Sequence, residues 1–138
     1  FGIYSDTGNT TCEGYPGSFG FEQVDASDFA SWGIDYLKHD FCGMEEHTKQ
    51  PQHYYTIMRD ALNATGRPIF YAIANWGTGQ PHLWGRSVGN SWRTGRDIFA
   101  AWDEEQARNG LHLPGFLQSV TTAIDDNANY GEHAGPGG

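Results

Sequence analysis

The feature that most constrains the fold is an alternation of short apolar stretches with segments of helical periodicity. Residues 68–74, PIFYAIA, form a continuous apolar run of strand length, which is typical of a parallel strand buried on both faces. Residues 34–40, IDYLKHD, are predicted to form another short strand, which ends in charge with Lys38 and Asp40. Strands that alternate with helices are usually joined by right-handed crossovers. The sequence therefore predicts an α/β protein with a parallel sheet.

Four strands are predicted, at 1–4, 34–40, 68–74 and 87–92. One helix is predicted to begin with Asp25 as its N-cap and to end at Gly33, and a second spans about 54–62 between Pro51 and Gly66. Two more helices are predicted from apolar residues at 98–102 and at 116–124. Four strands with helices between them are compatible with half of an eight-stranded barrel or with a small doubly wound sheet.

Composition and charge exclude several classes of function. The 138 residues suffice for one domain, and 8 basic against 17 acidic residues give a net charge of −9, which opposes nucleic-acid binding. No apolar run approaches the roughly 20 residues that cross a bilayer, so no membrane partner is expected. The sequence contains no glycine-rich nucleotide loop. A neutral substrate fits this composition better, and the oligomeric state is left open.

Asp40 and Asp97 are the candidate catalytic carboxylates, because each follows a predicted strand and has a cation nearby in sequence. Two carboxylates on neighbouring strand ends can act as nucleophile and general acid when their environments differ. Both residues also have simpler interpretations. Asp40 could open an exposed loop, and Asp97, just before an apolar helical segment, has the local sequence of a helix N-cap.

No metal or cofactor site is predicted. Although His39, Cys42 and His47 lie near Asp40, neither H-E-x-x-H nor paired C-x-x-C spacing is present.

Cys12 and Cys42 could form one disulfide, stabilising the fold by roughly 3 kcal/mol, or could be two reduced thiols. Asn9 and Asn63 begin N-x-[ST] triplets, which are possible N-glycosylation sites in a secreted protein.

A set of motifs spanning the chain resembles the α-galactosidases (melibiases) of glycoside hydrolase family 27. These motifs are GIYSD at 2–6, GNTTC at 8–12, GYPGSFG at 14–20, FASWGIDYLKHDFC at 29–42, SWR at 91–93, DI at 97–98 and AGPGG at 134–138. The resemblance implies a (β/α)₈ barrel enzyme that hydrolyses terminal α-galactosides by double displacement with retention.

The resemblance also implies roles for individual residues. Asp40 aligns with the nucleophile and Asp97 with the acid/base. The remaining aligned residues are the substrate-binding Lys38, Arg93, Tyr4, Asn75 and Trp76 and the disulfide pair Cys12 and Cys42. A disulfide beside the nucleophile places such a protein outside the cytosol, in a secreted or lysosomal/vacuolar compartment.

The resemblance further implies that residues 1–138 are the central part of a (β/α)₈ catalytic domain, with about four βα units and without barrel closure. The paired aspartates with which the family binds galactose hydroxyls are expected upstream of Phe1. The isolated segment is therefore expected to be inactive and prone to aggregation through its sheet edges.

The sequence departs from the family pattern at His39 and Phe41, which flank Asp40 where an aromatic and a small residue are usual. By the same resemblance, Asn75 stands near the position where the family distinguishes a free 2-hydroxyl from a 2-acetamido group, and a polar Asn there favours galactose. An α-N-acetylgalactosaminidase or a related α-galactoside or β-arabinopyranoside hydrolase is the alternative within this class. A glycan-binding homologue without catalytic activity is the alternative outside it.

Overall fold

The computed structural model describes residues 1–44, 50–105 and 117–133. Its centre is a four-stranded parallel sheet in chain order, formed by β1 (Gly2–Asp6), β2 (Tyr36–Asp40), β3 (Phe70–Ala74) and β4 (Ser91–Trp92). Three helices connect these strands: α1 (Glu22–Ser31), α2 (Pro51–Ala64) and α3 (Pro81–Val88). The α/β class and the parallel sheet predicted from the sequence are confirmed.

The two faces of the sheet have different roles, because side chains alternate along each strand. One face packs against α1, α2 and α3 and forms the main core through Ile3, Leu37, Tyr71 and Ile73. The strand order contains no reversal and the core helices cover this one face, as in a singly wound barrel rather than a doubly wound sheet. The described strands form an open arc and do not close into a barrel.

A second, two-stranded parallel sheet follows, formed by β5 (Asp97–Ile98) and β6 (Leu117–Gln118). Helix α4 (Val120–Ala128) comes next, and the Ser119 side chain caps it by accepting a hydrogen bond from the Thr122 N–H. A 3₁₀ turn at Gly131–His133 ends the described chain. No helix in the described ranges combines the length and the apolar character needed to cross a membrane.

Two predicted element boundaries are wrong. β1 extends to Asp6 instead of ending at residue 4, so Ser5 and Asp6 are buried strand residues. α1 begins at Glu22, and Asp25 therefore lies in its first turn instead of capping it. The predicted helix end is confirmed, because Gly33 follows α1 with a φ of 76°, a conformation that favours glycine.

Two other predicted elements differ in type. Helix α3 was not predicted, and only Ser91–Trp92 of the predicted 87–92 strand is extended. The segment that begins at Ile98 is predicted helical, but Asp97–Ile98 forms a strand. In the segment predicted at 116–124, β6 precedes α4, and Phe116 lies outside the described residues.

His39 and Phe41 enter the core on the helix side of the sheet, which explains how this chain accommodates them. His39 is 0% exposed, and its Nδ1 lies 2.8 Å from the Tyr71 hydroxyl. The Phe41 ring stacks on Tyr55 of α2 at 5.8 Å, and the same Tyr55 meets the His39 ring edge-on. The two unusual residues therefore pack as a pair around one tyrosine.

We expect His39 to make the fold sensitive to acid. Burial lowers the pKa of His39 to about 3 from 6.5, although the Asp6 backbone carbonyl acts in the opposite direction. Below pH 6.5 the unfolded chain binds a proton that the folded chain excludes until about pH 3. The stabilisation is therefore complete above pH 6.5 and is lost progressively as the pH falls, by about 2 kcal/mol between pH 7 and pH 5.

Urea unfolding at pH 7 and pH 5 measures this effect. His39→Phe should weaken the pH dependence by about 2 kcal/mol. The matched control His53→Phe, at an exposed position of α2, should leave it unchanged. Equal pH dependence in His39→Phe and the parent protein would contradict the assignment.

Candidate active site

The candidate site lies where β1 and β2 end. In the parallel register Tyr4 lies opposite Lys38 and Asp6 opposite Asp40. Because residues two apart on a strand share a face, these four side chains lie on the face opposite the helix-packed core. The carboxyl end of a parallel sheet is where barrel enzymes place their reactive groups.

Asp40 is almost fully buried and surrounded by donors. The residue is 4% exposed to solvent. One carboxylate oxygen, Oδ1, accepts the Phe41 backbone N–H at 3.0 Å. The other, Oδ2, accepts the Tyr4 hydroxyl at 3.2 Å and lies 3.4 Å from the Lys38 ammonium. The Lys38 charge and the two donated hydrogen bonds hold the Asp40 carboxylate in place at the end of β2.

Tyr4 and Lys38 form the accessible rim beside Asp40. Burial, and then the charge of Asp40, raises the pKa of the Tyr4 phenol well above its usual value. Tyr4 therefore remains protonated and keeps donating its hydrogen bond. The Lys38 ammonium lies 5.2 Å from the centre of the Tyr4 ring. With Tyr4 39% exposed and the Lys38 side chain 43% exposed, both groups can contact a ligand.

The predicted disulfide is confirmed, because Cys12 and Cys42 are bonded across a sequence separation of 30 with a Cα–Cα distance of 5.1 Å. The Tyr4 hydroxyl lies 3.3 Å from the Cys12 sulfur. The bond joins the loop after β1 to the residues just beyond Asp40. It thus ties the loop that follows Asp40 and β2 to the loop that follows β1.

Four residues at or beyond the ends of β1 and β2 have the residue types of a metal site. Potential ligand atoms of Asp6, Cys12, Asp40 and Cys42 all lie within 4.8 Å of one another. Both cysteines are consumed by the disulfide, however, so neither can offer a thiolate. The cluster is therefore better suited to holding the loop than to binding an ion.

Arg93 and Asp97 form a separate pair beyond β4. The Arg93 backbone N–H donates to the Ile73 carbonyl at 3.0 Å, which continues the β3–β4 pairing. The Arg93 Nη1 donates to the Asp97 carboxylate at 2.7 Å, and the two side chains are 27% and 56% exposed. Asp97 lies in strand β5, so its interpretation as a helix N-cap is wrong.

Asn75 and Trp76 follow β3 at the same edge of the sheet. Asn75 is 0% exposed, its Nδ2 donates to the Thr78 carbonyl, and its Oδ1 has no hydrogen-bond partner within the described part of the chain. Trp76 has a φ of 54°, which is uncommon for a bulky residue and is often found at functional sites. A side chain on Gly77 would meet the Thr94 carbonyl at 2.4 Å. This loop therefore packs closely against the segment that follows Arg93.

Sequence reasoning missed one buried acid of the site, Asp6. It is 0% exposed, and its two oxygens accept the backbone N–H groups of Gly8 and Cys42 at 2.8 and 3.0 Å. The signal for it was an aspartate two residues before a glycine, a common turn arrangement. The predicted end of the first strand at residue 4 concealed the strand position of Asp6.

Comparison with known proteins identifies the family to which this sequence is similar. A family model described as alpha galactosidase A (Melibiase_2) matches residues 1–131. The chain is 45% identical over 136 residues to alpha-galactosidase A of Cellvibrio japonicus, covering 99% of this chain and 32% of that protein. It is 48% identical over 140 residues to alpha-galactosidase 3 of Arabidopsis thaliana, covering 99% and 28%.

A solved structure gives the same result. The α-galactosidase of Saccharomyces cerevisiae, determined with raffinose, superposes with a TM-score of 0.87 at 39% identity, covering 100% of this chain and 33% of that one. The chain thus spans about a third of the length of these relatives. Because the family model covers nearly all of the sequence, the chain belongs to the melibiase family of α-galactosidases.

Proposed function

We propose that residues 1–138 form the central part of the (β/α)₈ catalytic domain of a retaining exo-α-galactosidase. The substrate is a terminal α-linked galactose of an oligosaccharide or glycoconjugate. The observation that carries this proposal is the buried Asp40 carboxylate, which accepts the Tyr4 hydroxyl at 3.2 Å at the carboxyl end of a parallel strand. The names of the relatives support the sugar, and the yeast structure was determined with an α-galactoside.

In the first step Asp40 attacks the anomeric carbon. An ester bond forms between the carboxylate and C1 while the glycosidic C1–O bond breaks, and Asp97 gives its proton to the departing oxygen. The Lys38 ammonium lies 3.4 Å from the Asp40 carboxylate and, because the Lys38 side chain is 43% exposed, it can also bind a sugar hydroxyl.

In the second step Asp97 acts as a base. It takes a proton from water, the water oxygen bonds to C1, and the ester to Asp40 breaks, which restores both carboxyl groups. Before substrate arrives, the Asp97 carboxylate is paired with the Arg93 guanidinium. Sugar hydroxyls that bind the Arg93 guanidinium compete with Asp97 for that contact.

Product analysis tests this function. The complete catalytic chain should release galactose from an aryl α-galactoside, and proton NMR of the first product should show the α-anomer. Initial release of the β-anomer would contradict retention, and absence of turnover would favour a glycan-binding homologue. Faster hydrolysis of aryl α-N-acetylgalactosaminide would instead favour the related N-acetylgalactosaminidase activity.

The disulfide and the two glycosylation triplets bear on the compartment in which the protein acts. The disulfide and two exposed sequon asparagines, Asn9 and Asn63, support a secreted or lysosomal/vacuolar location. Enzymatic glycan removal from protein isolated from its natural source should reduce its mass, and Asn63→Gln should remove one glycan. Fully reduced cysteines in that material would contradict this location.

The isolated segment is a poor catalyst by this account. On the face of the sheet opposite the helices, Tyr36 and Phe70 stack at 5.4 Å and remain 42% and 43% exposed. In a closed barrel this face is filled by side chains of the other strands. The activity experiments therefore use the complete catalytic chain.

A further inference from the structure

Asp6 connects the two loops that flank Asp40. It is the last residue of β1, it is 0% exposed, and it lies opposite Asp40 in the strand register. Its Oδ1 accepts the Gly8 N–H in its own loop, and its Oδ2 accepts the Cys42 N–H two residues beyond Asp40. One side chain thus satisfies backbone donors on both sides of the disulfide.

The surrounding contacts leave this connection little freedom. The Asp40 carbonyl accepts both the Thr7 backbone N–H at 3.0 Å and the Thr7 hydroxyl at 3.1 Å. A side chain on Gly8 would meet the Cys42 carbonyl at 2.2 Å. The backbone of Asp40 is therefore held at its own carbonyl by Thr7 and at the following residues by Asp6.

The chemistry of the contact requires a carboxylate. Asp6 receives one backbone N–H on each oxygen, whereas asparagine has a single acceptor oxygen. In asparagine an amide NH₂ would face one of the two N–H donors, so one contact would be lost although the size is unchanged. Asp6 itself acts through the backbone of Gly8 and Cys42, which distinguishes it from the groups that contact the sugar.

We propose that Asp6 is a positioning residue that fixes the Asp40 carboxylate for attack on the anomeric carbon. This inference rests on the proposed function. A displacement of about 1 Å at a reacting group can reduce the rate by about 10²-fold. Loss of the Cys42 contact should therefore lower kcat while leaving KM, which reflects the exposed sugar contacts, nearly unchanged.

The test compares kcat and KM of Asp6→Asn with the parent on an aryl α-galactoside, with active sites counted by a 2-fluoro-galactosyl inactivator. We expect kcat per active site to fall by about 10²-fold and KM to change less than about threefold. Asp6→Ser keeps an oxygen for the Gly8 turn but is too short for Cys42, and it supplies the same test if Asp6→Asn does not fold.

Ser5→Ala is the control. Ser5 is the buried neighbour of Asp6 and its hydroxyl lies 2.6 Å from that of Ser18, away from Asp40, so this variant should retain kcat. An unchanged kcat per active site in the Asp6 variant, or a loss confined to KM, would overturn the assignment. An inactive parent protein would refute the proposed function instead.

Discussion

Replacing Asp40 by asparagine in the complete chain is expected to abolish hydrolysis of α-galactosides, lowering kcat by at least about 10⁴-fold. The amide has the size of the carboxylate and can keep the Phe41 N–H contact at Oδ1. It has no negative charge and cannot form the ester with C1, so the first step has no nucleophile. Steady-state rates on an aryl α-galactoside measure the effect.

The matched control is Asp60→Asn. Asp60 lies on α2 with its side chain 63% exposed and paired with Arg59, so the same chemical change there should leave kcat unchanged. Near-normal turnover by Asp40→Asn, confirmed as free of parent protein, would remove Asp40 from the nucleophile role.

Replacing Asp97 by alanine is expected to produce a loss that depends on the leaving group. General acid catalysis contributes typically 10²–10⁴-fold, so hydrolysis of a substrate with a sugar leaving group should fall by about 10³-fold. Aryl galactosides with acidic phenols need little proton assistance, so their first step should be affected far less. The ratio of kcat/KM for the two substrate types is the measurement.

Added azide separates this role from that of Asp40. Azide needs no base, so it should restore turnover in Asp97→Ala and yield an α-galactosyl azide from the covalent intermediate. Asp125→Ala, at an exposed position of α4, should behave as the parent protein. Equal losses for both substrate types would mean that Asp97 acts in binding or folding and not in proton transfer.

The elements with strong local signals were predictable from the sequence. The apolar run that contains β3 and the helical periodicity of α2 both identified real elements. Helix α3 has only eight residues and includes Gly85, which lowers its helical signal. Tertiary packing explains why position 85 is a glycine, because the Cβ of any larger residue would lie 2.7 Å from the Trp92 ring. Such a tertiary contact has no local sequence pattern.

Long-range pairing explains the other failures. Asp97 precedes a helical-looking segment, yet its strand pairs with Leu117, twenty positions along the chain. The distances around Asp40 depend on the parallel register that sets Tyr4 beside Lys38. Its position after a predicted strand identified Asp40 as a candidate carboxylate, and the resemblance to a family implied its role. Only the folded arrangement showed that Asp6 links the loops on either side of it.

Covalent labelling tests the central claim, that Asp40 is the nucleophile, most directly. A 2-fluoro-galactosyl donor slows release of the intermediate and should inactivate the complete chain with one label per active site. Peptide mass spectrometry should then locate the fluorogalactosyl ester on Asp40, and Asp40→Asn should remain unlabelled. An ester on any other carboxylate, or sustained turnover without a label, would contradict the account.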